Sequence, residues 1–199
     1  MSYDFIVVGL GNPGPRYAFT RHNIGFIALD LLAQEKGTKF SSQGVGKKIQ
    51  AEWAEVELGS KKLFLLKPQT FMNLSGESLQ KLYQHANHLR DIPVVCLHDE
   101  VDIALGKIRV KFGGSDAGHN GLKSLRQHLG HGNYFRIRMG VGRPPAGSPL
   151  GVADYVLQNF AKEEEESLMK ELVKTTQVLE ALVRDGLPAA LIIASREDK

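Results

Sequence analysis

Residues 5–14 are Phe5-Ile6-Val7-Val8-Gly9-Leu10-Gly11-Asn12-Pro13-Gly14, and Thr20-Arg21-His22-Asn23 follow shortly after. An apolar run that ends in a glycine-rich turn before a helical pattern is typical of a strand in an α/β sheet. The stretch fits two different functions. Its three glycines match the G-x-G-x-x-G dinucleotide fingerprint, whereas Asn12 and His22 indicate a polar catalytic site at the end of the strand.

The dinucleotide interpretation lacks its structural context. That site needs backbone N–H groups and a helix N-terminus facing the pyrophosphate. Pro13 and Pro15 each remove an N–H group from the turn, and no helical pattern begins before Ile24. The acidic residue expected about 20 residues further on would be Asp30, which falls within the predicted helix. The sequence therefore favours a polar site over a nucleotide cradle.

Strands and helices alternate along the rest of the chain. Ile24, Ile27, Ala28, Leu31 and Leu32 form the apolar stripe of an amphipathic helix, with Asn23 as its expected N-cap and Gly37 as its stop. Strands are predicted at 49–58, 62–67, 93–98, 107–112 and 135–141. Further helices are predicted from about 76 to 88, 121 to 129 and 162 to 185, with a short one opened by Pro188. This order predicts an α/β fold: a single domain over 1–199, with a mixed twisted sheet flanked by helices.

Composition and charge narrow the class of protein. The 199 residues carry a net charge of +3 and one cysteine, Cys96, which lies in an apolar run and is expected to be buried. The sequence shows neither a signal pattern nor an apolar stretch long enough for a membrane span, so a cytoplasmic protein is expected. The segment 105–145 holds eight Lys or Arg and a single acid, Asp116, which indicates a polyanionic partner such as nucleic acid.

Basic residues alternate with apolar ones on two of the predicted strands. Lys107, Arg109 and Lys111 alternate on the first, and Arg136 and Arg138 on the second. Alternation places each set on one face of its strand. Such a face either binds phosphates or is simply solvated, and both interpretations remain open at this point.

Four polar clusters fall at strand ends or helix entrances. They are Asn12 with His22, Thr70 to Asn73, His98-Asp99-Glu100, and Gly118-His119-Asn120-Gly121. Asp99 follows an apolar strand, and a carboxylate held there can orient His22 and stabilise its charged form. The alternative is that Asp99 caps a turn and His22 is a surface histidine. Asn12, Asn73 and Asn120 are each ordinary cap or turn residues unless they converge on the same site.

Two other chemistries fit the sequence less well. His98, Asp99, Glu100 and Asp102 could ligate a metal, but they lack the H-E-x-x-H or C-x-x-C spacing, and no metal is expected. Gly113 to Ala117 nearly matches a G-x-S-x-G nucleophile elbow. The histidines that follow it have no acid before them other than Asp116, so the triad order fails.

From about Asp4 to Phe160 the chain resembles the bacterial-type peptidyl-tRNA hydrolases. The matching segments are Gly9 to Gly14, Thr20 to Asn23, Lys67 to Gly76, His98 to Glu100, Gly118 to Leu122 and Asp154 to Leu157. The resemblance implies a monomeric α/β enzyme that needs no metal or other cofactor. It also implies cleavage of the ester between a peptide and the 3′ end of tRNA, with the acceptor stem and 3′ end of peptidyl-tRNA as the partner.

The resemblance also implies roles for individual residues. His22 resembles the family's catalytic base and Asp99 its supporting carboxylate. Asn12 resembles the residue that helps to separate peptidyl-tRNA from free-amine aminoacyl-tRNA. Contacts with substrate or tRNA are implied for Tyr17, Phe71, Asn73 and Asn120.

The chain departs from the family pattern at two places. Ala104 stands where proline is frequent and Ala117 where glycine is common, and neither position carries a catalytic role. No lid residue is assigned within 144–151. A non-catalytic RNA-binding protein of the same fold is the main alternative. It would keep the basic faces without needing His22 and Asp99 together.

Overall fold

A computed structural model describes residues 2–196 and contains a six-stranded mixed sheet. The strands are β1 (Phe5–Gly9), β2 (Ala51–Leu58), β3 (Lys61–Pro68), β4 (Val94–Glu100), β5 (Ile108–Phe112) and β6 (Phe135–Gly140). Their order is β2-β3-β1-β4-β6-β5. The four inner strands are parallel, while β2 and β5 pair antiparallel at the two edges. The prediction of an α/β fold with a mixed sheet is confirmed.

Seven α-helices accompany the sheet within the described residues. They are α1 (Ile24–Glu35), α2 (Val45–Ile49), α3 (Ser75–His85), α4 (Asn120–Leu129), α5 (Val152–Val156), α6 (Glu165–Asp185) and α7 (Leu187–Ser195). Short 3-10 turns at Arg21–Asn23, Met72–Leu74, Asn87–Leu89 and Lys162–Glu164 precede or follow them. None of the helices in residues 2–196 is both long and apolar enough to cross a bilayer.

The core consists of two apolar layers, one on each face of the sheet. Leu29 of α1 and Leu179 of α6 pack with Val7 and Val95 on one face. On the other face, Leu82 of α3 and Leu125 of α4 pack with the strand residues of opposite parity, including Cys96. Cys96 is fully buried, as the sequence predicts.

Close packing of α1 against β1 explains two of the opening glycines. A Cβ atom on Gly9 would lie 2.5 Å from the carbonyl oxygen of Gly25. One on Gly11 would lie 2.6 Å from the ring of Phe26. These glycines let the helix approach the strand closely, which a side chain at either position would prevent.

Several predicted boundaries are wrong in detail. The strand predicted from residue 49 begins at Ala51, because residues 45–49 form α2 and Gln50 has a left-handed φ of 53°. The helix predicted to reach His88 ends at His85, and a separate 3-10 turn follows. Asn23 occupies the N-cap position of α1, but its side chain makes no capping bond there.

Candidate active site

A cleft of about 890 Å³ lies at the carboxyl ends of the inner strands. The turn after β1, the end of β4, the segment after β3 and the entrance to α4 contribute to its walls, and α5 closes one side. The structure brings together in this cleft every site residue predicted from the sequence: Asn12, Tyr17, His22, Phe71, Asn73, Asp99 and Asn120.

His22 and Asp99 are in direct contact. Nδ1 of His22 lies 2.9 Å from each carboxylate oxygen of Asp99, although the two residues are 77 positions apart in the chain. Asp99 is the penultimate residue of the fully buried strand β4, and its side chain is 3% exposed. Because an ionised carboxylate only accepts hydrogen bonds, Nδ1 of His22 carries a proton, and in the neutral ring Nε2 then carries the lone pair. No hydrogen bond joins that Nε2 to the residues in 2–196.

A second histidine reaches the same carboxylate. Nε2 of His119 lies 2.8 Å from Oδ1 of Asp99, and the rings of His119 and His22 are 4.9 Å apart between centroids. Burial opposes ionisation of Asp99, but its interactions with His119 and His22 outweigh that effect and hold the Asp99 pKa below its usual range. Asp99 is therefore a carboxylate at neutral pH, shared by two histidines.

His98 lies behind this cluster and stays neutral. Burial lowers the pKa of His98 to about 3, and its Nδ1 hydrogen-bonds the backbone oxygen of Asp99. Its ring meets that of His119 edge-on, with centroids 5.1 Å apart. An uncharged ring at this position adds no positive charge to compete with His22 for Asp99.

Asn12 is held by its backbone and by its side chain. The side chain of Asn23 accepts from the backbone N–H of Asn12 and donates to its carbonyl, both at 2.9 Å. Oδ1 of Asn12 accepts from the backbone N–H of Met72 at 2.8 Å. Asn12 is 7% exposed and lines the cleft, so its amide NH₂ is the group left to bind a ligand. Asn23 thus clamps Asn12 and does not cap α1.

The remaining predicted residues form the outer part of the cleft. Asn73 and Asn120 are exposed, Tyr17 is half-buried, and Phe71 is 58% exposed. These two aromatic rings and two amide groups line the same cleft. The outer cleft can accept both apolar or stacking groups and hydrogen-bonding ones.

The carboxylates that line the cleft each have a cationic or histidine partner. Glu100 binds Arg138 at 2.9 Å, Asp102 binds Arg143 at 2.6 Å, and Asp116 binds Arg126 at 2.8 Å. Asp99 has His22 and His119. The acids therefore do not make the cleft strongly anionic, which would repel a phosphate-bearing ligand.

The cluster of His22, Asp99 and His119 is also the group in the described chain that could hold a metal ion. One ligand atom from each lies within 4.8 Å of the others. Nδ1 of His119, however, accepts from the backbone N–H groups of Gly121 and Leu122. The proton of the neutral ring is then on Nε2, the atom that a metal would need. The hydrogen bonding favours proton sharing over metal ligation. Of the four residues weighed in the sequence as metal ligands, His98, Asp99, Glu100 and Asp102, only Asp99 belongs to this group within the described residues.

Arg136, one of the basic residues that alternate along the predicted strands, faces neither phosphate nor solvent. Arg136 is 0% exposed, and its guanidinium donates to the carbonyls of Ser115 and Gly114 at 2.6 and 2.8 Å. It supports the loop above β6 and is unavailable to a ligand. Lys107 and Arg109 are exposed, as a phosphate-binding edge requires.

The sequence analysis notes Asp154 to Leu157 as a family-like segment, but it predicts neither helix α5 nor the part that this helix takes in the cleft wall. The lining residues from this part of the chain are Val152, Ala153, Val156 and Leu157. Arg21, next to His22, fixes the position of this wall. Its guanidinium donates to the carbonyl of Asn159 and pairs with Glu164 at 2.5 Å. It also lies over the rings of Tyr155 and Phe160. A five-residue helix has no periodicity to detect, but an arginine beside a candidate base could have indicated such an anchor.

Comparison with known proteins identifies the family. The family model described as peptidyl-tRNA hydrolase matches residues 6–198. Peptidyl-tRNA hydrolase of Citrifermentans bemidjiense is 45% identical over 190 residues, covering 94% of this chain and 96% of the relative. That of Geotalea daltonii is 44% identical over 194 residues, with 97% of each chain covered. The crystal structure of peptidyl-tRNA hydrolase from Acinetobacter baumannii superposes with a TM-score of 0.85 at 32% identity, covering 99% of this chain and 97% of that one.

Proposed function

The chain belongs to the peptidyl-tRNA hydrolase family, and we propose that it hydrolyses the ester between a peptide and the 3′ end of tRNA. The observation that carries the proposal is the contact between His22 and the buried carboxylate of Asp99 in a cleft lined by asparagines. A protein that only bound RNA would have no use for a histidine whose proton is fixed in this way.

We assign His22 as the general base. With its Nδ1–H donated to Asp99, the Nε2 lone pair removes a proton from a water molecule as that water attacks the ester carbonyl. Asp99 stabilises the imidazolium that forms in this step. The tetrahedral intermediate then expels the 3′ oxygen of the terminal ribose, which takes the proton from His22. The neighbouring hydroxyl of that ribose activates the ester, so no covalent intermediate is needed.

Amide groups supply the hydrogen bonds that the reaction needs. The NH₂ of Asn12 is rigidly placed and donates to a carbonyl oxygen of the peptide or to the developing oxyanion. Asn73 and Asn120 position the rest of the peptide end. Because Asn12 is an uncharged group, it accommodates an acylated amine without providing a carboxylate for a free α-ammonium group.

Basic and aromatic groups outside the cleft hold the tRNA. Exposed Lys107 and Arg109 contact backbone phosphates irrespective of sequence. Tyr17 and Phe71 provide rings on which bases of the single-stranded 3′ end stack. In this proposal the protein acts as a cytoplasmic monomer with one domain over 1–199 and without a metal.

The direct test is release of labelled amino acid from an N-acetylated aminoacyl-tRNA. The wild-type chain should release it, and His22→Ala should remove nearly all turnover while tRNA binding stays within a few-fold of wild type. His88→Ala is the matched control, because His88 is exposed and does not line the cleft. Wild-type binding of tRNA without any release would favour the non-catalytic RNA-binding alternative.

A further inference from the structure

His119 belongs to two hydrogen-bonded systems at once. It precedes α4, and its Nδ1 accepts from the backbone N–H of Gly121 at 3.1 Å and of Leu122 at 3.4 Å. These are free N–H groups of the first helical turn, which need an acceptor. The opposite ring atom, Nε2, lies 2.8 Å from Oδ1 of Asp99.

The helix fixes the protonation state of this ring. An Nδ1 that accepts two N–H groups cannot also carry a proton, and the positive end of the helix dipole disfavours a charged imidazolium there. His119 is therefore neutral, with its proton on Nε2. It is a permanent donor to Asp99.

The hydrogen bond from His119 matters because the Asp99 carboxylate accepts hydrogen bonds from two rings at once. The Asp99 carboxylate could rotate about its side-chain bond if His22 were its sole partner. His119 holds one oxygen from the α4 side, which leaves the carboxylate plane directed at Nδ1 of His22. Since a ring that stays neutral adds no charge, Asp99 keeps its full negative charge for His22.

We infer that His119 is a positioning residue: through Asp99 it keeps His22 in the tautomer and orientation that expose the Nε2 lone pair to substrate. The inference rests on the proposed function, since it concerns the same base. Three side chains of different elements reach the carboxylate region: His22 before α1, His119 before α4 and His98 on β4. Of these, only His22 changes charge during turnover.

Two substitutions separate the roles of the two ring nitrogens. In His119→Asn the amide oxygen takes the place of Nδ1 and can cap α4, but nothing reaches Asp99. In His119→Gln the amide NH₂ takes the place of Nε2 and can donate to Asp99, but the cap is lost. The first variant keeps the helix and loses the donor, and the second does the reverse.

The experiment measures single-turnover release from N-acetylated aminoacyl-tRNA between pH 5.5 and 9, together with tRNA binding and Tm. His119→Asn should keep a Tm near wild type and nearly normal tRNA binding. Its rate should fall roughly 10- to 100-fold, as misplacement of a catalytic group does. Asp99, no longer shared, should bind a protonated His22 more strongly, so the acid-side fall in rate should move to higher pH. His119→Gln should retain a rate closer to wild type, at a lower Tm.

The opposite pattern overturns the inference. If His119→Asn is as fast as wild type, or if both variants are equally slow with an unmoved pH profile, His119 only caps or packs. The wild-type reaction measured in parallel distinguishes this failure from a failure of the proposed function. A wild-type chain that releases no amino acid overturns both.

Discussion

Replacing Asp99 with asparagine tests how the carboxylate controls His22. Two N–H groups, from His22 and His119, point at the Asp99 side chain from 2.9 and 2.8 Å. An asparagine can accept one of them with its oxygen, but its NH₂ then faces the other donor. His119 cannot change its tautomer without losing its cap contacts, so His22 must present an unprotonated Nδ1 to the amide. The proton of the neutral His22 ring then moves to Nε2, and the lone pair that should activate water is lost.

The size of the effect follows from this change of tautomer. In a serine protease, the same aspartate-to-asparagine change beside a catalytic histidine lowers kcat by about 10⁴ because the wrong tautomer results. In the proposed reaction His22 deprotonates the water that attacks the ester. We therefore expect the rate to fall roughly 10³- to 10⁴-fold, or about 4 to 5.5 kcal/mol of transition-state stabilisation. KM should change little, because Asp99 is buried and binds no substrate directly.

Two measurements examine the variant. Single-turnover release of labelled amino acid gives the rate, and ¹⁵N chemical shifts of the His22 ring give the tautomer. Asp185→Asn is the matched control, since Asp185 is an exposed carboxylate at the end of α6 that pairs with Arg184. An Asp99→Asn rate within tenfold of wild type, or a proton still on Nδ1 of His22, would refute the reasoning.

Three further predictions concern stability and tRNA binding. Ala117 has a φ of 48°, so Ala117→Gly should leave the free energy of unfolding unchanged or raise it by up to about 1 kcal/mol. Gly118 has a φ of 82°, so Gly118→Ala should lower that free energy by about 1 kcal/mol, and urea unfolding measures both changes. Burial raises the pKa of Glu171 to about 8 despite two backbone N–H donors and a nearby lysine, so the native state keeps a proton that the unfolded chain loses near pH 4.3. Wild-type stability should therefore fall relative to that of Glu171→Gln by up to about 1.4 kcal/mol per pH unit between pH 5 and 8, and parallel curves would contradict this. Arg109→Glu should weaken tRNA binding and flatten its dependence on salt, and an unchanged slope in a binding titration at several salt concentrations would mean that this strand face is only solvated.

The parts of the fold that the sequence predicts are those set by local pattern. The apolar run before His98 forms the central strand β4, and the stripe from Ile24 forms α1. Because β4 ends and α1 begins at the same edge of the sheet, the convergence of Asp99 with His22 could be anticipated from the sequence order. The short helices α2 and α5 could not, since five residues carry no periodicity and are held by tertiary packing.

The hydrogen-bond partner of a polar side chain depends on tertiary packing, which sequence pattern does not predict. Asn23 has the residue type and position of an N-cap, but the turn after β1 lies close enough for it to bind the backbone of Asn12 instead. Alternation on β6 correctly places Arg136 and Arg138 on one face, but it cannot show that a loop covers Arg136. The sequence places His119 only in a polar cluster, because its contact with Asp99 depends on how two separate elements pack.

The central claim is that His22 and Asp99 form one catalytic unit for peptidyl-tRNA hydrolysis. A double-mutant cycle with His22→Ala and Asp99→Asn tests it most directly. The account predicts that the double variant releases amino acid from N-acetylated aminoacyl-tRNA no more slowly than His22→Ala alone, because Asp99 acts only through that ring. Losses of rate that multiply in the double variant would show that the two side chains act independently, and would contradict the account.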